Sequence, residues 1–107
     1  MALSHVEPGH SRNLLGDPQT TRSSALVKTD AFEAIKLIVP QGRLIAPHAV
    51  EGPMTLYCIS GRIALIVDEK EVEMKTGDWL YLEGGKTHAV RGLEDAKLIL
   101  TIMYVEK

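Results

Sequence analysis

The chain has one cysteine, Cys58, among its 107 residues. A lone thiol excludes an intrachain disulfide framework and fits a reducing compartment. Charge of one sign is not in excess either: 12 Lys and Arg stand against 14 Asp and Glu, a net charge of -2. The basic residues are scattered, with no basic run interleaved with aromatics, so nucleic acid is not expected as a partner. Long hydrophobic runs are missing too. The longest, Leu98 to Val105, is far shorter than the ~18 residues a membrane span needs. Met1 to Gly16 has no basic segment followed by an apolar one, so it does not read as a signal peptide. These absences predict a cytoplasmic protein with no membrane contact. Convincing helical periodicity is absent from every stretch of about ten residues or more.

What remains is ordinary globular material. Hydrophobic residues make up 45% and charged residues 24%, and a chain this long is expected to form one domain with one core. Residues 1–22 carry Pro8, Gly9, Gly16 and Pro18, with Leu14 and Leu15 as an apolar pair. They read as an N-terminal arm, and residues 23–107 as the folded domain. From Ser23 the pattern is strand, turn, strand. Ala25–Thr29, Phe32–Val39, Met54–Ser60 and Arg62–Val67 are rich in β-formers, and Gly or Pro turns separate several of them. Glu71–Lys75 alternates strictly, with Val72 and Met74 on one face. Trp79–Leu82, His88–Arg91 and Leu98–Val105 complete the set. Short strands with turns about every ten residues predict an all-β sandwich or closed barrel.

Of the four histidines, His5 and His10 sit in the polar arm and read as incidental. His48 and His88 each read as opening a strand after a Gly or Pro turn, where barrel mouths collect functional side chains. The stretch Gly42 to Gly61, GRLIAPHAVEGPMTLYCISG, resembles the first motif of the cupin superfamily. Gly77 to His88, GDWLYLEGGKTH, resembles the second. The resemblance covers roughly Phe32 to Val105 and implies a single-domain cupin jelly-roll β-barrel. Many relatives hold a divalent metal through three histidines and a glutamate. His48 and His88 fall on two of those four positions. Val50 stands where the motif has its other histidine, and Met54 where it has the glutamate. Glu83 replaces the motif proline, and Gly92 falls where an asparagine often follows.

Two ligands of four do not make a zinc or non-haem iron site without a third protein donor. Glu51, Glu83 and Cys58 are the candidates for that donor. The resemblance therefore leaves two readings open. In the first, His48 and His88 anchor a small, partly apolar molecule in a barrel lined by Met54, Leu56 and Cys58, together with Leu80 and Leu82. Glu83 leans over the mouth, and a metal is held weakly or not at all. In the second, the protein is a divalent-metal enzyme of oxygenase or isomerase type, with Zn, Ni, Mn or Fe on a rebuilt ligand set that includes His48 and His88. A satisfied buried imidazole pair would account for the two histidines without a ligand. A homodimer is expected, with the N-terminal arm as a candidate contact.

Overall fold

The computed structural model describes residues 5–15, 23–49 and 51–104, with the side chains of 46–49 outside that description. Nine strands occur among these residues: β1 (Ser24–Lys28), β2 (Phe32–Val39), β3 (Leu44–Ala49), β4 (Met54–Ser60), β5 (Arg62–Val67), β6 (Lys70–Lys75), β7 (Trp79–Leu82), β8 (Thr87–Gly92) and β9 (Ala96–Met103). They form a five-stranded sheet in the order β1-β2-β9-β4-β7 and a four-stranded sheet in the order β3-β8-β5-β6. Every pairing is antiparallel. This is a two-sheet jelly roll. No helix among the described residues is long and apolar enough to cross a membrane.

The period-2 alternation of each strand sends one set of side chains between the sheets. Ala96, Leu98, Leu100 and Ile102 on β9 and Met54, Leu56 and Cys58 on β4 come from the larger sheet. Ile63, Leu65, Met74 and Val90 meet them from the smaller one. All belong to one buried cluster. Fully burying a Leu, Ile or Met side chain is worth about 1.5–3 kcal/mol. The sheets are thus held face to face by a shared core. At Gly61 the β4–β5 turn runs so close to the β8–β9 connection that a Cβ would sit 2.1 Å from the Asp95 carbonyl oxygen. Its φ of +87° also suits glycine alone.

Two features depart from the sequence expectation. His48 does not open a strand: it is the fifth residue of β3, a strand the sequence pattern hides. Pro47 precedes it, and proline demotes a strand reading because it cannot donate to a ladder. Here β3 is an edge strand, and its register shifts between Ile45 and His48, which accommodates the proline. Val72 is the second departure. Met74 is 2% exposed, as expected, but Val72 is 41% exposed because β6 is the other edge of the same sheet.

Three of the four edges, β6, β7 and β1, are blunted in recognised ways. The β6 strand carries Lys70, Glu71, Glu73 and Lys75. The β7 strand has only four residues. The arm attends to β1, where the Val6 N–H donates to the Leu26 carbonyl at 2.7 Å. Lys97 on β9 donates from Nζ to the Leu15 carbonyl at 3.0 Å. The described part of the arm is therefore bonded to its own domain at both ends. Val50, the first four residues, residues 16–22 and Val105 lie outside the described residues.

Candidate functional site

His88 is the second residue of β8, the strand between β3 and β5. Its register partner on β3 is His48, and its partner on β5 is Val67. The two histidines that the motif spacing singled out therefore occupy opposed positions on one ladder. The His88 side chain is only 3% exposed. Its Nδ1 lies 3.4 Å from the Lys86 carbonyl oxygen, a long contact.

Three connections meet at this end of the barrel. The β7–β8 loop approaches the β3–β4 loop so closely that a Cβ on Gly84 would sit 1.9 Å from the Glu51 carbonyl oxygen. Only a residue without a side chain lets the two backbones touch. Lys86 in the same loop reaches the β5–β6 turn, where its Nζ lies 3.1 Å from Asp68 Oδ2. That turn is a two-residue hairpin with both Asp68 and Glu69 at positive φ, 49° and 67°. Such a turn matches strand twist but normally takes Asn and Gly. Holding two L-residues with side chains there stores strain of about 1–2 kcal/mol per residue.

A cavity of about 260 Å³ opens where β5, β8 and this turn meet. Ile66, Asp68, Glu69, Thr87, His88 and Ala89 line it. The apolar part of its lining is the register pair Ile66 and Ala89, which alternation places on the opposite face of the strands from Val67 and His88. Asp68, Glu69, Thr87 and His88 make up the polar part of the lining. Apolar lining with a few polar residues beside it is a common make-up of a small-molecule pocket. Asp68, Glu69 and Thr87 were not singled out from the sequence. Asp68 and Glu69 read there as an ordinary polar turn, and only the β5–β8 register brings them beside His88.

The other sequence candidates lie elsewhere. Met54, Leu56 and Cys58 face inward, at 2%, 1% and 0% exposure, within the packed cluster. They do not line the cavity at His88. Cys58 sits toward the far end of β4, where its Sγ contacts the Ser60 carbonyl at 3.5 Å and the Gly61 carbonyl at 3.6 Å. Burial pushes its thiol above the ordinary value of 9.0, and the nearby Asp78 carboxylate adds to the rise. A thiol held protonated is a poor nucleophile and a poor metal ligand. Glu83 is exposed in the β7–β8 loop.

These placements bear on the metal that the cupin motifs imply. Among the described residues no group of three or more His, Cys, Asp or Glu is placed to hold an ion. Cys58 is bonded at the wrong end of its strand, and Met54 is packed in the core.

The cupin-domain family model matches residues 36–104. No curated protein matches the chain. Among solved structures, a conserved protein of unknown function from Streptococcus pyogenes superposes with a TM-score of 0.83 at 17% identity, over 100% of this chain and 97% of that one. An RmlC-like cupin from Desulfovibrio desulfuricans gives 0.78 at 21% identity, covering 88% and 95%. A cupin superfamily protein from Desulfitobacterium hafniense gives 0.74 at 18% identity, covering 78% and 76%. At these identities the likeness concerns the fold.

Proposed function

The chain belongs to the cupin family, and from that premise we propose that it binds a small molecule at the His88 end of the barrel without a tightly held metal. One observation carries this reading: His88 is almost wholly buried, yet it forms part of the wall of a 260 Å³ cavity. An imidazole at a cavity wall can hydrogen-bond a guest, as donor or as acceptor according to its tautomer. His48, opposite it in register, is the second polar anchor in this proposal. Ile66 and Ala89 supply the apolar part of the cavity lining on the outer side of these strands. The guest is a compact molecule with one apolar face and one polar end.

The barrel core formed by Met54, Leu56 and Cys58 supports the wall by packing. Fold by itself does not select between binding and catalysis, because one barrel hosts many functions. The enzyme alternative, an oxygenase or isomerase working through a divalent metal, needs donors that the described residues do not bring together.

A thermal-shift screen of small carboxylic acids, amines and neutral polar fragments tests the proposal on wild type, His88→Ala and His48→Ala. Compounds that raise the wild-type Tm should lose their effect in His88→Ala and weaken in His48→Ala. Compounds that stabilise all three proteins equally would place binding elsewhere and sink the reading.

A further inference from the structure

The cavity at His88 is lined by charge of one sign. Among the described residues that line it, Asp68 and Glu69 are acidic and none is Lys or Arg. One cation reaches the β5–β6 turn: Lys86 Nζ lies 3.1 Å from Asp68 Oδ2, with both side chains about half exposed. No ion pair among the described residues involves Glu69. Two carboxylates therefore stand against one ammonium, and the pairing leaves the charge of Glu69 over. Next to this turn the lining is apolar, at Ile66 and Ala89. Thr87 and the almost wholly buried His88 complete it.

We propose that the guest of this cavity is an organic cation, a primary ammonium ion whose charge meets Glu69 and whose apolar part lies against Ile66 and Ala89. This rests on the reading of the cavity as a binding site and adds to it the charge of the guest. A cleft lined by one sign of charge concentrates ions of the other sign. A carboxylate or phosphate guest would sit beside Asp68 and Glu69 with Lys86 already engaged, and such repulsion is how a site rejects the wrong class. A neutral guest would displace water from an ionised carboxylate and return no charge to it. A bare metal ion would leave Ile66 and Ala89 idle, whereas an apolar lining favours a guest with carbon to bury. An ammonium group has three N–H donors. These serve Glu69 and leave a donor for Thr87 or His88.

The test uses three compounds of one shape: 2-phenylethylammonium, 2-phenylethanol and phenylacetate. Each is titrated into the full chain while backbone amide chemical shifts are followed, and shifts at Glu69, Thr87 and His88 locate the binding. The ammonium compound should bind about 5-fold tighter than the alcohol, and phenylacetate should bind weakest. High salt should shrink the difference. Glu69→Gln should weaken the ammonium compound about 5-fold and leave the alcohol unchanged. Lys86→Met, which frees Asp68, should tighten the ammonium compound about 2-fold. Both positions are exposed, so neither variant threatens the fold. If no compound moves the three amides, the binding site and the charge assignment fall together. If the alcohol or phenylacetate moves them and binds as tightly as the ammonium compound, the site stands and the charge assignment is overturned. An ammonium preference left whole in Glu69→Gln also overturns it.

Discussion

The outer faces of the two sheets are built of different material. On the smaller sheet, Arg62 lies 3.3 Å from Glu73 and 3.7 Å from Glu94, and Arg91 pairs with Glu71. Those side chains are roughly half exposed, so the face is finished for water. On the larger sheet, the corresponding surface of β4 and β7 carries Tyr57, Trp79 and Tyr81 and no charge. Both sheets alternate equally well, and both bury their other face in the same core. The difference teaches that alternation tells which residues leave the core, but not whether they meet water. The chemistry of the outward set decides that.

The largest effect should come from the core that the two faces share. Leu65→Ala in the smaller sheet and Leu98→Ala in the larger both truncate fully buried side chains. Each is expected to cost about 2–5 kcal/mol, measured by urea unfolding. Similar costs fit one core. A negligible loss for either would mean that the sheets do not depend on each other.

Next comes the loop contact that frames the cavity. Gly84→Ala drives a Cβ into the Glu51 carbonyl and should cost about 1–3 kcal/mol. It should also weaken any ligand that His88 holds. Unchanged melting and unchanged binding would show that the loops do not meet as described. A smaller change, in the opposite direction, is expected at the strained hairpin. Glu69→Gly relieves a positive φ and should stabilise by about 0.5–1 kcal/mol. A loss of stability would contradict the strain argument.

The smallest effect sharpens the contrast between the faces most. Arg91→Ala removes an exposed ion pair and should change stability by less than about 1 kcal/mol, and by less still in high salt. A large, salt-independent loss would mean that the charged face is structural rather than merely solvated.

Much of this fold was legible in the residues. The strands Phe32–Val39, Met54–Ser60, Arg62–Val67 and Trp79–Leu82 stand where their β-formers and flanking turns put them. The strand β3 was hidden because Pro47 counts against a strand unless its edge position is known, and edge position is a tertiary fact. Lys36 was equally opaque. The alternation of β2 sends it away from Ile35, Leu37 and Val39, toward apparent solvent, yet it is fully buried opposite Ser24. The arm anchors on β1 at Leu26 and on β9 at Lys97, the strands either side of β2, and no local pattern announces those contacts. At the site, motif spacing picked out His48 and His88, and the β3–β8 register sets them opposite each other. The turn side of the cavity wall was beyond the sequence, because Asp68 and Glu69 come beside His88 only through pairing across β5 and β8. The candidate third donors Glu51, Glu83 and Cys58 were named by chemistry alone, and Cys58 is held at the other end of its strand.

The central claim is that the cupin barrel carries a binding site at His88 rather than a metal centre. Elemental analysis of purified, untagged protein after dialysis tests it most directly, with His48→Ala/His88→Ala as the comparison. The account predicts well under one equivalent of zinc, nickel, manganese or iron, and the same content in the double variant. Near one equivalent in wild type, lost in the double variant, would contradict it.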